Sequence, residues 1–280
     1  MRMRLAGGLL APLALMSMLA GCAGGVTPSA VPGSAPAQAP SLTAAPSQVA
    51  WPLPSGASAE ENFNAGVDLA AQGRFDDAVE AYTKAIELDP MAAAAYGMRG
   101  VAYHDQGKFD LAIADYAKAI ALDPTDARGY ISRGNAFDKL GKNDLAMADY
   151  NMAIELDPTD ALAFYNRGGS YYHLGKFELA VADFTKVIEL EPTNTRGYYA
   201  RGASYNGQGK FDLAAADFTK VIELNPTDAR AYYERGAATV NGGDTVGATA
   251  DFDRALSLAI DPDLISSIKK ARCTVGLGCE

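Results

Sequence analysis

Apolar and small residues recur along this chain with two nested periods. Within residues 161–192, Phe164, Gly168 and Tyr171 fall on one side of a first helix, and Ala180, Phe184 and Val187 on one side of a second. This is the i, i+3/i+4, i+7 spacing of amphipathic helices. Gly175 breaks the chain between the two, and Pro192 stops the second because proline cannot continue a helical hydrogen-bond ladder. The pattern returns every 34 residues, closing at Pro90, Pro124, Pro158, Pro192 and Pro226, and a Tyr/Phe-x-x-Arg-Gly motif keeps the same step. A fixed period of this length marks one supersecondary unit that cannot bury its apolar face alone and is stacked on copies of itself.

The frame gives six repeats, 59–92, 93–126, 127–160, 161–194, 195–228 and 229–262, each read below by positions 1 to 34. Position 8 is small where it faces the ring at position 24, so the two helices of a repeat approach closely. The ends depart from the pattern, as terminal repeats do. The first has Leu69 where later repeats mostly have Tyr or Phe and lacks the Arg-Gly pair; the sixth carries Gly242, Gly243 and Gly247, and its closing Pro262 comes two residues late. Residues 263–280 then form a cap and tail, in which Leu264, Ile265, Ile268 and Ala271 share one side of a short helix.

A charged pair accompanies the repeat. Arg99, Arg133, Arg167, Arg201 and Arg235 at position 7 are each 16 residues before Asp115, Asp149, Asp183, Asp217 and Asp251 at position 23. The two positions lie level across the hairpin, and the first repeat has Ala65 and Ala81 instead. Joint presence and joint absence predict structural ion pairs rather than an arginine ladder for an anionic ligand.

These features resemble the tetratricopeptide repeat over residues 59–262. The resemblance implies an all-α, right-handed superhelical solenoid of six helix hairpins with a short C-terminal capping helix. It also implies that first helices line a concave groove for peptides or partner proteins. Its groove positions are held here by Arg128, Asn135, Tyr165, Asn166, Tyr172, Arg196, Tyr199, Arg230 and Tyr233, with Asp138, His173 and Glu234 beside them. The basic members favour an acidic or aromatic-bearing segment, and Tyr and Arg are common interface anchors. Asn135, Asn166 and Arg196 match three positions of the clamp with which some relatives hold a C-terminal carboxylate. Ile131 and Ala200 stand where its basic residues belong, so the clamp is expected to be broken.

Residues 1–21 read as a secretory signal: Arg2 and Arg4 precede an uncharged stretch, Leu5 to Ala20. Leu19-Ala20-Gly21-Cys22 resembles the bacterial lipobox, which implies lipidation of Cys22 as the mature N-terminus. More than one acyl chain, at about 0.8 kcal/mol per buried CH₂, anchors a protein without spanning the bilayer. The absence of Asp after Cys22 implies, by analogy with enteric lipoproteins, the outer membrane, facing the periplasm. Residues 22–58 hold seven prolines among Ala, Ser and Gly and form a tether too poor in apolar surface to fold. Trp51, the single tryptophan, is expected to dock onto the first helix of the repeats, the alternative being a small recognition spot.

Loss of the signal removes two of the 24 basic residues and none of the 34 acidic ones, taking the net charge from −10 to −12. Such a body disfavours nucleic acid and anionic lipid as general electrostatic partners. Cys273 and Cys279 are close enough for a small disulfide loop in an exported protein. His104 and His173 lie two repeats apart, and no metal, cofactor or catalytic motif is predicted. The expected function is a non-catalytic scaffold for a protein or peptide, such as an envelope protease, cell-wall enzyme or assembly factor. The alternatives are a homo-oligomeric structural lipoprotein and a hydrolase with a carboxylate pair in the groove.

Overall fold

The computed structural model describes residues 51–276, so Cys22, Cys279, the signal and most of the tether lie outside the described residues. These residues divide into two compact units, 51–152 and 153–276. The first unit contains α1 (Ala59–Ala71), α2 (Phe75–Leu88), α3 (Ala93–Asp105), α4 (Phe109–Leu122) and α5 (Ala127–Lys139), and α6 (Asn143–Leu156) spans the division. The second contains α7 (Ala161–His173), α8 (Phe177–Leu190), α9 (Thr195–Gly207), α10 (Phe211–Leu224), α11 (Ala229–Asn241), α12 (Ala248–Leu258) and α13 (Pro262–Thr274). Among the described residues there is no strand, and consecutive helices pack as hairpins, the architecture that the 34-residue pattern predicts.

Each hairpin turns at a glycine with positive φ, such as Gly175 at 69°, a conformation that costs a residue with a Cβ about 1–2 kcal/mol. Four of the five first helices that follow a closing proline are capped by Asp126, Asp160, Asn194 and Asp228, whose side chains accept backbone N–H bonds from the first turn, while α3 begins after Ala92 without a side-chain cap. Such caps stabilise by about 0.5–2 kcal/mol each. Ser58 and Glu61 form a reciprocal capping box on α1.

The core of every hairpin is a ring at position 24. Tyr82, Tyr116, Tyr150, Phe184, Phe218 and Phe252 are all at most 3% exposed. Each lies against a first-helix glycine at position 8; a Cβ placed on Gly100 would come within 2.7 Å of Tyr116. Any larger residue there forces the helices apart.

Both termini of the described chain are covered. Trp51 packs beside Leu69 and Tyr82, donates its indole N–H to Glu80 at 3.3 Å, and lies 4.7 Å beneath the Lys84 ammonium. Leu69 belongs to α1 and Tyr82, Glu80 and Lys84 to α2, so the ring docks on both helices of the first hairpin, with an ammonium over its face and a carboxylate at its N–H edge. At the other end Pro262 opens α13 instead of closing the sixth repeat, with Asp261 as its cap. Proline suits a first helical position because its missing N–H would have no partner there. Leu264, Ile268 and Ala271 of α13 are buried against the Tyr233 and Phe252 cluster, and Arg272 pairs with Asp253 at 3.2 Å.

Candidate functional site

All five position-7 arginines meet their aspartates through two parallel bonds. Arg99 donates from Nε and Nη2 to the two Asp115 oxygens at 2.8 Å each, and Arg201 to Asp217 at 2.9 and 2.7 Å. Arg133, Arg167 and Arg235 hold Asp149, Asp183 and Asp251 in the same fork. The aspartates are buried, and the shared bonds raise the arginine pKa values further. Aromatic rings one turn away flank each guanidinium; Arg201 lies 5.9 Å from the Tyr198 centroid and 6.0 Å from that of Tyr205.

The remaining Nη1 of three arginines reaches the preceding repeat. Arg99 donates to Thr83 at 3.0 Å, Arg201 to Thr185 at 3.2 Å and Arg235 to Thr219 at 3.1 Å. Each threonine hydroxyl donates in turn to the carbonyl one turn back, as Thr83 does to Val79 at 2.7 Å. The arginine thus ties its own hairpin to the one before it. The sequence reading missed this link, whose only signal is threonine at position 25 of those three preceding repeats.

The expected groove residues divide sharply. Tyr165, Tyr199 and Tyr233 require correction: they are 5%, 3% and 4% exposed and pack on Phe184, Phe218 and Phe252, with ring centroids 5.6, 5.4 and 6.1 Å apart. Position 5 turns into the hairpin because a large ring covers the position-24 ring more favourably than it meets water. The Tyr199 hydroxyl donates to buried Glu234 of the next repeat at 3.2 Å, and burial pushes its pKa well above that of a free phenol. Asn166 is also buried, at 7% exposure, yet its Nδ2 finds no acceptor within the chain.

Other members stay at the surface. Arg128 is exposed and folds back onto its cap Asp126 at 3.0 and 3.2 Å. Arg196 is exposed, Arg230 is half-buried, and Tyr172 is half-buried with its ring 5.5 Å from Phe177. Asn135 accepts the Tyr150 hydroxyl at 2.7 Å. Ile131 and Ala200 are buried apolar residues where the carboxylate clamp has basic ones.

Cys273, in the last turn of α13, is disulfide-bonded, and Cys279 lies outside the described residues. A cleft of about 520 Å³ lies between Leu53–Ala57 and the Glu61, Asn64 and Asp68 side of α1, away from every groove candidate. Among the described residues no cluster of three or more His, Cys, Asp or Glu is placed to hold a metal, and no helix is long and apolar enough to cross a membrane.

Models described as tetratricopeptide repeat match residues 63–127, 161–194 and 195–228, and one described as TPR repeat matches 134–175. Together they match more than half of the chain, which belongs to the tetratricopeptide-repeat family. Among solved structures, the crystal structure of MamA protein is 29% identical over 61% of this chain and 94% of its own, with a TM-score of 0.54. YrrB, described as a TPR protein with an unusual peptide-binding site, is 26% identical over 69% of this chain and 99% of its own, with a TM-score of 0.57. A tetratricopeptide repeat protein from Parabacteroides merdae, 22% identical, shares the fold over 78% of this chain and 87% of its own at a TM-score of 0.65. No curated protein sequence matches the chain. A repeat of this family supports a role in protein–protein interaction.

Proposed function

We propose that this chain is a non-catalytic scaffold, anchored by lipid on Cys22 to the periplasmic side of an outer membrane, that binds an extended protein segment on its first-helix face. The observation that carries the binding reading is Asn166, whose Nδ2 is buried without an acceptor. Leaving such a donor unsatisfied costs about 1–3 kcal/mol, and a ligand carbonyl or carboxylate removes that cost. Half-buried Tyr172 on the same helix and exposed Arg196 on α9 add an aromatic surface and a cation. A segment with acidic or main-chain acceptors suits that set. YrrB, described as having an unusual peptide-binding site, supplies an analogy for a peptide ligand. Anchoring is supported by the signal pattern and Leu19-Ala20-Gly21-Cys22.

Crosslinking in cells followed by affinity capture and mass spectrometry identifies the partner, for which an envelope protease, a cell-wall enzyme or an assembly factor are the leading classes. Its binding is expected to weaken with salt and with Arg196→Ala or Asn166→Ala in variants whose melting curves show them folded. Unchanged affinity in the folded double variant places the site elsewhere. Cys22→Ser is expected to move the protein out of the membrane fraction, and retention there defeats the anchoring reading.

A further inference from the structure

The joint between repeats 93–126 and 127–160 lacks two ties that occur at other joints, including the one before it. Arg133 holds Asp149 at 2.8 and 2.7 Å, but the residue 16 places before it is Ala117, where Thr83, Thr185 and Thr219 stand before Arg99, Arg201 and Arg235. Alanine has no acceptor, so no side-chain bond runs from Arg133 to the preceding repeat. Position 5 of the preceding repeat is missing too. Phe63 fills it in repeat 59–92 and packs with Ala85, Ile86 and Ala95 across the joint with α3. Tyr199 fills it in repeat 195–228 and bonds Glu234 of the next. Repeat 93–126 has Gly97, where a Cβ would meet nothing within 4 Å. Glycine within a helix also costs about 1 kcal/mol relative to alanine. This joint is crossed by a small apolar cluster of Ala112, Tyr116 and Ala136, by Ile120 against Gly129, by a bond from the Tyr130 hydroxyl to the Pro124 carbonyl at 3.3 Å, and by a surface ion pair of Lys142 with Asp110 at 3.6 Å.

We propose that this joint is the hinge of the first unit, at which α5 separates from α4 before α3 separates from α2. The helices of the two joints touch over similar stretches, and opening is easier where buried side-chain ties between them are fewer. Opening changes the spacing between the exposed faces of α3 and α5, so a partner on that surface selects the joint's conformation; the hinge itself does not depend on such a partner.

Native-state hydrogen exchange on the full-length protein tests this. With intrinsic rates accounted for, the amides of Arg133–Ala136 are expected to exchange faster than those of Arg99–Ala102. Ala117→Thr restores an acceptor opposite Arg133 and is expected to slow α5 by about fivefold without affecting α3, the ratio that a net hydrogen bond of about 1 kcal/mol gives. Thr83→Ala is expected to speed α3 by a similar factor. Ala117→Ser supplies the same hydroxyl without β-branching, and covers the case in which the threonine perturbs α4. Exchange in α5 that is no faster than in α3, or that neither hydroxyl variant slows, overturns the hinge.

Discussion

The two compact units build the same hairpin core around a ring at position 24, but place the tyrosine at different positions, 24 in the first unit and 5 in the second. In unit 51–152 the position-24 rings are Tyr82, Tyr116 and Tyr150, and position 5 is Phe63, Gly97 and Ile131. In unit 153–276 position 24 is Phe184, Phe218 and Phe252, and position 5 is tyrosine throughout. That placement decides where the phenol goes. From the second helix, the Tyr150 hydroxyl donates within its own hairpin, to Asn135 at 2.7 Å or Asp138 at 3.0 Å. From the first helix, the Tyr199 hydroxyl reaches Glu234 of the following repeat. The first arrangement spends its polar group inside a repeat, and the second uses it to couple repeats.

The charged struts give the largest test of that contrast. Arg201→Ala removes the bonds to both Asp217 and Thr185, whereas Arg133→Ala removes only those to Asp149. Stranding a buried aspartate costs about 3–5 kcal/mol, and the partial exposure of the arginines places these pairs at the lower end. Arg201→Ala is expected to exceed Arg133→Ala by about 1 kcal/mol in urea unfolding. Arg201→Ala with Asp217→Ala should cost less than the sum of the singles. Equal losses in the two units show that the threonine link contributes nothing, and additive ones that the pair does not interact.

Next in size is the phenol bond itself. Tyr150→Phe deletes a bond to a carboxylate-bearing pair, and about 1.5–3 kcal/mol is the range for hydrogen bonds to charged groups. Tyr199→Phe deletes the corresponding bond to Glu234. The distinguishing readout is spatial: exchange should rise within α5 and α6 for Tyr150→Phe, and in the following repeat, α11, for Tyr199→Phe. Exchange confined to the mutated repeat in both variants breaks the distinction between the units.

The hairpins are legible in the sequence because burial repeats with the helix period and glycine and proline stand where the backbone must turn or stop. The strut is legible for a different reason: Ala65 and Ala81 remove both partners together. Its third contact is less so, because position 25 is threonine in only three repeats and alanine, asparagine or aspartate in the others. The groove is where residue type misleads. Tyrosine serves both an exposed face and a core, and a small rotation of the helix decides which. Only the exchange of Tyr and Phe between positions 5 and 24 hints that the two rings touch.

A smaller effect of opposite sign is expected at Tyr82. Its hydroxyl is buried without a partner because Val67 and Ala70 stand where Asn135 and Asp138 serve Tyr150, and burial, with nearby Asp68, pushes its pKa up to about 12. Tyr82→Phe is therefore expected to stabilise by about 1 kcal/mol, measured by the same urea midpoint. A loss instead means that the hydroxyl has a partner such as bound water, and the first unit then holds no unsatisfied phenol.

The smallest effect separates the units by pH. Position 12 is His104 in repeat 93–126 of the first unit and Tyr172 in repeat 161–194 of the second. Burial lowers the His104 pKa and Lys139 lowers it slightly further, against a contact with Asp105 at 3.6 Å that raises it. A histidine whose folded pKa lies below its unfolded value near 6.5 favours the folded state in its neutral form. Its contribution is complete above that value and is lost as pH falls through about 6.5 toward the folded pKa. Burial and nearby Glu234 raise the Tyr172 hydroxyl pKa, so that position stays uncharged across the same window. Urea midpoints measured between about pH 8 and 5 should therefore fall more steeply for the wild type than for His104→Gln, with the difference growing below about 6.5. Hydrogen exchange places the loss in α3 and α4, which carry His104 and the Phe109 ring 5.2 Å from it. A slope identical in both proteins means that His104 is as well solvated folded as unfolded, and the mild-acid contrast between the units then disappears.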